Sequence, residues 1–436
     1  MQKRKLCLVF ILALILNCVS ANAAIIYENK SETMITKGVT QITTKRFTDS
    51  GWYKIHTLRI DLNENYLALK TLTSQKGVNT RENVLELATQ RNAVAAVNAD
   101  FFQPSGSFAS RASAIGVVVD KGKMLTTPAR GKNMATAAVD LENNVTMGLW
   151  DQYITLEAPN GEVKQVIHVN KYFDEGGLVL FNSDWDEYSP GSTIASVEMV
   201  VVDDIVTEIR QRQEGVKLTP NSYVIASTSA TDTFLTDSFK PGDKVKLDTW
   251  FEPDPTQYNM AVGGGTLLIA DGKDAPVTHN ISGTNPRSAM GVDKSGKIVY
   301  LVAVEGRQSS CAGMTMSELR SYMKELGCHY AINFDGGGST TFVSKTPRES
   351  SLSLKNTVSD GSMRRVANAV GVISTAPVTA PAVLDIYFTQ KSLHAQGCYE
   401  VQLRAYDEYY HQTDINVNDV RRSEEHTSEL QSPNTI

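Results

Sequence analysis

Basic residues are in the minority in this chain. Its 436 residues carry 42 Lys and Arg against 48 Asp and Glu, a formal net charge of −6. No positive field is available to neutralise a phosphate backbone, which argues against nucleic acid as a partner. Long apolar runs are missing too. After the first two dozen residues nothing approaches the roughly 18 apolar positions a membrane-spanning helix needs. Cysteine is sparse: of five, Cys7 and Cys18 sit in the N-terminal segment, leaving Cys311, Cys328 and Cys398. No CxxC or Cys/His cluster suggests zinc, and the seven histidines follow no readable spacing. No solenoid repeat is visible. What is present is ordinary for a folded protein, with 41% hydrophobic and 21% charged residues.

The N-terminus has the grammar of a signal peptide. Lys3, Arg4 and Lys5 form a basic head, Leu6 to Leu16 an apolar stretch, and Ala21-Asn22-Ala23 a small-residue cleavage site. We expect residues 1–23 to be removed and the protein to be secreted or displayed at the cell surface. At the other end, Arg422 to Ser432 resembles the translation of a sequencing adapter, so residues 422–436 are expected to be foreign to the fold. Residues 375–381, rich in Pro, Thr and Ala, read as a linker. Beyond it, 382–421 looks like an incomplete immunoglobulin-like sandwich, with strands near Leu384–Tyr387 and Tyr399–Ala405. Such a fragment lacks partners for its strands and is expected to make only weak contacts with the rest.

Between these segments the pattern is mostly strand. Alternating apolar residues mark strands over Trp52–Leu62 and Leu67–Leu72. A short helix follows, with Asn79 and Glu82 as its capping pair and Val84, Leu87 and Ala88 on one face. Ala93–Val97 is a buried strand running into Asn98-Ala99-Asp100-Phe101-Phe102. Residues 135–255 read as mainly antiparallel sheet. Gly263-Gly264-Gly265 precedes a strand, and Ser288–Val292 with Ile298–Val304 makes a hairpin. Thr315 and Glu318 form a capping box for a helix that stops at Gly327. That helix, about eleven residues long, would hold Cys311 and Cys328 roughly 16 Å apart. A disulfide requires Cα atoms within about 7 Å, so no bridge is expected. The fold class is α+β, with mixed, mainly antiparallel sheets and few helices.

Chemistry concentrates where strands end. Tyr330–Phe334 empties into Asp335-Gly336-Gly337-Gly338-Ser339-Thr340. Three glycines let backbone N–H groups approach an anion, and the two hydroxyls add donors. The same residues also describe a plain glycine turn capped by Asp335, and the motif alone leaves both readings open. Arg287 opens a strand and offers a planar fork for phosphate or carboxylate. Glu305, followed by Gly306 and Arg307, ends the next strand. Glu305 and Asp335 could thus be two carboxylates at one cleft, the usual equipment for acid–base work on an acetal. Asn98 and Asp100 end another buried strand in the same way.

Taken in order, Asn98–Phe102, Asn285–Ala289, Val304–Arg307, Gly313–Thr315, Ala331–Ser339 and Val366–Gly371 resemble the phosphodiester glycosidase family over residues 35–374. Its animal member, the mannose-6-phosphate uncovering enzyme, removes N-acetylglucosamine from a sugar-1-phosphodiester. Glu305 departs from the pattern, standing where the family carries Asp. The resemblance implies one catalytic domain over 24–374 acting on a carbohydrate phosphodiester in a glycan or wall polymer. On this reading Asp335, Glu305 and Asp100 are catalytic. Asn98, Arg287, Arg307, Gly336, Gly337, Gly338, Ser339 and Thr340 hold substrate. No cofactor is demanded, and a divalent ion between carboxylates and phosphate stays open. The missing C-terminal region would be the route to cell-wall association. The rival is a surface protein that binds a wall polymer or glycan without cutting it.

Overall fold

The computed structural model describes residues 24–102, 112–129, 131, 133–172, 177–229, 231–279, 281–388 and 401–415. The expected signal peptide, the adapter-like tail and Cys398 lie outside these. Strands dominate, in four large sheets and a small fifth, with three short α-helices among the described residues.

The eight-stranded sheet supplies the central layer. In order across the sheet its strands are Ile25–Thr36, Val39–Thr48, Gly51–Asp61, Ile298–Val304, Arg287–Val292, Tyr330–Phe334, Leu267–Ala270 and Lys273–Asp274. A five-stranded sheet packs on it, in the order Ser353–Leu354, Phe342–Ser344, Ala95–Asn98, Ala369–Ser374 and Leu67–Leu72. Leu58, Leu301 and Phe334 of the first meet Leu69, Val97, Phe342 and Val370 of the second in one buried cluster. Burial on both faces explains why Ala95–Asn98 reads as a continuous apolar run rather than alternating. The chain leaves both sheets at one end, carrying Asn98–Phe102 and Asp335–Thr340 together. Asp335 N donates to Ala99 O at 2.8 Å.

A second five-stranded sheet contains Val118–Asp120 and Tyr258–Gly263. A seven-stranded sheet runs from Ile205–Gln211 to Lys246–Glu252. In it Val163–Val169 and Leu178–Asn182 pair in parallel, an exception to the antiparallel pattern expected for 135–255.

The helix Met316–Glu325 has the predicted capping box, with Thr315 accepting from Glu318 N, and Gly327 follows at φ +82°. The earlier helix is Val84–Gln90, and its cap is Asn83 with Glu86, not Asn79 with Glu82. The Asn-x-x-Glu spacing occurs twice, and the copy next to the apolar face wins. Cys311 and Cys328 are both buried and free. No helix of the described residues is long and apolar enough to cross a membrane.

The tail is better attached than expected. Val383–Phe388, Val401–Tyr406 and Gln412–Thr413 form one small sheet. Buried Asp407 organises it, accepting from the N–H groups of Thr379, Tyr409 and His411. Arg348 grips Asp385 with two hydrogen bonds, Lys37 pairs with Glu408 at 3.0 Å, and Tyr66 packs edge-on against Tyr409. Ion pairs, one aromatic contact and a Thr36–Tyr409 hydrogen bond make the attachment, with no continuous apolar face for hydropathy to show. Exposed ion pairs stabilise only weakly. A chain ending at Ala376 should lose little stability by denaturant titration and keep its turnover.

Candidate active site

Asp335 is the centre of the site. Burial raises its carboxyl to about 6, against the Ser339 hydroxyl, the charges of Arg364 and Arg307 and the Gly336 N–H, which pull it down. The glycine loop brings both guanidiniums close: Arg307 lies over Gly337, and a Cβ at Gly338 would collide with Arg364 and Asp360. Arg307 is held by Asn285 Oδ1, at 3.2 Å from Nε and 2.9 Å from an amino group. Arg364 bonds Asp360 through Nε and one amino group and reaches Ser339 Oγ at 3.5 Å with the other.

Asp100 lies beneath, within electrostatic reach of Asp335. Its oxygens accept from Phe101 N at 2.7 Å and Gly116 N at 2.8 Å. Burial pushes this carboxyl up to about 7, opposed by the charge of Lys171 and those two N–H bonds. A Cβ at Gly263 would collide with the Asp100 carboxylate, which gives the first glycine of the 263–265 run its reason. Lys171 is itself buried, donating to the carbonyls of Ile115, Gly116 and Thr127.

Other expected site residues are present but occupied. The Asn98 amide donates to Asp335 O at 2.7 Å and accepts from Ser288 Oγ and Thr341 N. It pins the glycine loop to two strands. Thr340 is buried, its hydroxyl turned to Ser288 Oγ at 3.3 Å. Arg287 is 3% exposed. Its Nε donates to Met314 O at 2.8 Å, and one amino group donates to Ile281 O and Gly283 O. Burial and neighbouring Arg307 lower its pKa. The Arg287 Nε and that amino group strap three backbone carbonyls, a structural tie of which the sequence carried no sign.

Glu305 is held by three donors on one oxygen. Its Oε1 accepts from Lys54 Nζ at 2.7 Å, His56 Nε2 at 2.9 Å and Thr357 N at 2.9 Å. Burial alone would raise its pKa, but these three donors outweigh it and hold the carboxyl near 2. A group so firmly ionised cannot deliver a proton near neutral pH. Glu305→Gln should cost about 3 kcal/mol, with turnover per folded molecule preserved. A depressed carboxyl stabilises above its ordinary value and loses that contribution as pH falls toward 2. The gap in melting temperature between wild type and variant should therefore close in acid.

Sequence reasoning missed Arg364, Asp360, Lys171 and the Lys54–His56 pair. Arg364 stands two residues before the recognised Val366–Gly371 motif, a position that could have marked it. Lys171 lies in a stretch with no motif at all. Asn368 was inside the motif, and its Oδ1 accepts from Asp100 N at 2.9 Å. Among the described residues no group of His, Cys, Asp and Glu is arranged to hold a metal ion.

No curated protein matches the chain. Among solved structures, a hypothetical protein from Synechocystis is 20% identical with a TM-score of 0.67. That match covers 79% of this chain but only 64% of the Synechocystis chain. An exported protein, so titled provisionally, from Burkholderia pseudomallei K96243 is 16% identical with a TM-score of 0.68, covering 80% of this chain and 96% of that one. At these identities the likeness shows a shared fold alone. The zebrafish N-acetylglucosamine-1-phosphodiester alpha-N-acetylglucosaminidase catalytic domain matches at 15% identity, covering 81% of this chain and 85% of that one, with a TM-score of only 0.41. Residues 195–373 match the phosphodiester glycosidase family. That span holds Arg307, Asp335, the glycine loop and Arg364.

Proposed function

We propose that this protein is an exported hydrolase that cleaves a glycosyl phosphodiester, a sugar-1-phosphate linkage of the N-acetylglucosamine type. The observation that carries the reading is Asp335, a carboxyl raised to about 6, between two guanidiniums at a glycine loop. Arg307 and Arg364 bind the phosphate and stabilise the charge that grows on it as the bond to the sugar breaks. Asp335, ionised at neutral pH yet basic enough to accept a proton, takes one from the attacking water. Asp100 acts as a positioning residue, accepting from the Phe101 and Gly116 N–H groups beneath the Asp335 loop. Asn98 and Arg287 hold the loops that carry these groups. The N-terminal leader supports export, and the Burkholderia neighbour's title is in keeping with it. A glycan or wall polymer is the proposed target.

The test is release of N-acetylglucosamine from its uridine-diphosphate conjugate and from N-acetylglucosamine-1-phosphodiesters, run in ¹⁸O water. Label in the sugar reports attack at carbon, and label in the phosphate reports attack at phosphorus. Binding of these compounds with no turnover would favour the non-catalytic, glycan-binding alternative.

A further inference from the structure

The seven-stranded sheet ends on the strand Lys246–Glu252, paired antiparallel with Asp151–Glu157. One face of this pair is core, through Ile154 and Leu156. The opposite face presents Tyr153 and Trp250, which are direct register partners. Their Cβ atoms are therefore about 5 Å apart on one side of the sheet. They are 56% and 52% exposed. Two adjoining aromatic faces left in water mark an interaction site rather than a packing need.

The pair lines a cavity of about 780 Å³ together with Asp151, Gln152, Gln165 and Glu252, which lies within the usual range for small-ligand sites. Gln152 is nine-tenths buried, and its Nε2 donates to Ile167 O at 2.9 Å. Its Oε1 has no partner among the described residues. The same cavity reaches Asn133, whose carbonyl accepts from Thr278 Oγ1 at 2.8 Å. The next residue, His279, packs its ring edge-on against Phe101, 4.9 Å away, and Phe101 N donates to Asp100. These contacts connect the cavity wall to the loop that carries Asp100.

We propose that this cavity is a glycan subsite, where Tyr153 and Trp250 stack the pyranose rings of an uncharged oligosaccharide. A pyranose has an apolar C–H face, which suits the negative face of an aromatic ring. Its rim of hydroxyls can donate to carboxylate and amide oxygens such as those of Asp151, Glu252 and Gln165. A nucleotide could stack too, but its phosphates would meet Asp151 and Glu252, a repulsive pairing. The link to catalysis rests on the proposed hydrolase reading: the subsite would hold the glycan attached to the cleaved phosphate.

Isothermal titration calorimetry on the intact protein tests binding without requiring turnover. The probes are the tetrasaccharides of β-1,4-linked N-acetylglucosamine, glucose in cellotetraose and maltotetraose, and mannose, with uridine monophosphate as control. At least one tetrasaccharide should bind saturably, and Trp250→Ala and Tyr153→Ala should each weaken it about tenfold. Hydrolysis of the small uridine-diphosphate conjugate should be unchanged in both variants, which alter only exposed side chains. The subsite is overturned if no tetrasaccharide binds, if binding survives both substitutions, or if uridine monophosphate competes for it. It is equally overturned if sedimentation shows a dimer that Trp250→Ala dissolves. A failed hydrolysis assay with intact tetrasaccharide binding would instead remove the hydrolase reading and leave the subsite standing.

Discussion

Asp335→Asn should lower kcat by about 10²–10⁴-fold while raising the melting temperature at pH 8. The first effect follows from removing the proton acceptor without changing its shape. The second follows from what the site costs the fold. Burial lifts the carboxyl from its ordinary 3.8 to about 6, so the folded protein holds this proton more tightly than the unfolded chain. Stability from that preference is complete below pH 3.8 and is lost as pH rises through about 6. Two pH units correspond to about 3 kcal/mol. An amide carries no charge to bury, so the variant should be more stable at pH 8 and nearly equal to wild type at pH 4. In wild type, kcat/KM should rise with pH through about 6 as Asp335 ionises, and that limb should vanish in the variant. Kinetics and thermal melts on the same preparations check both effects. Normal turnover in folded Asp335→Asn would end the case for this residue as the base.

Where the sequence could be read, and where it could not, follows from which interactions leave a local trace. The strands around 52–72, 288–304 and 330–334 and the helix after Thr315 announce themselves by periodicity and caps. The loops bearing Asp100 and Asp335 were legible because each follows a buried apolar strand directly, and the two do meet. Hydrogen-bond economy was not legible. Arg287, Glu305, Asn98 and Thr340 are all beside the site, yet several of their polar atoms bond carbonyls, amides or side chains brought in from far along the chain. Lys54 and Thr357, which with His56 enclose Glu305, are some 300 residues apart in sequence. Lys171 reaches Ile115, Gly116 and Thr127 because the strand Val163–Val169 ends beside residues 125–127, where Val169 N donates to Thr127 Oγ1. No spacing rule anticipates such partners.

This distinction between committed and available arginines predicts opposite behaviour at two kinds of site. Arg307→Ala and Arg364→Ala should each reduce kcat/KM about 10–100-fold, since a charge-assisted hydrogen bond contributes about 1.5–3 kcal/mol. The double variant should lose about 10²–10⁴-fold if the two grip one phosphate independently. Neither change should reduce stability much, because among the described residues the Arg307 side chain bonds Asn285, and the Arg364–Asp360 pair is partly exposed. Arg287→Lys should do the reverse. A lysine has one nitrogen where the guanidinium serves the carbonyls of Met314, Ile281 and Gly283 from two. At least one buried carbonyl is then left unpaired, at about 1–3 kcal/mol, and the loop 281–285 that seats Arg307 through Asn285 loosens. Melting temperature should fall clearly, with only a modest loss of turnover per folded molecule. The sequence reading, with Arg287 as the phosphate clamp, demands instead a tenfold or greater loss in kcat/KM at unchanged stability. Measuring both quantities on Arg287→Lys and Arg364→Ala decides between them.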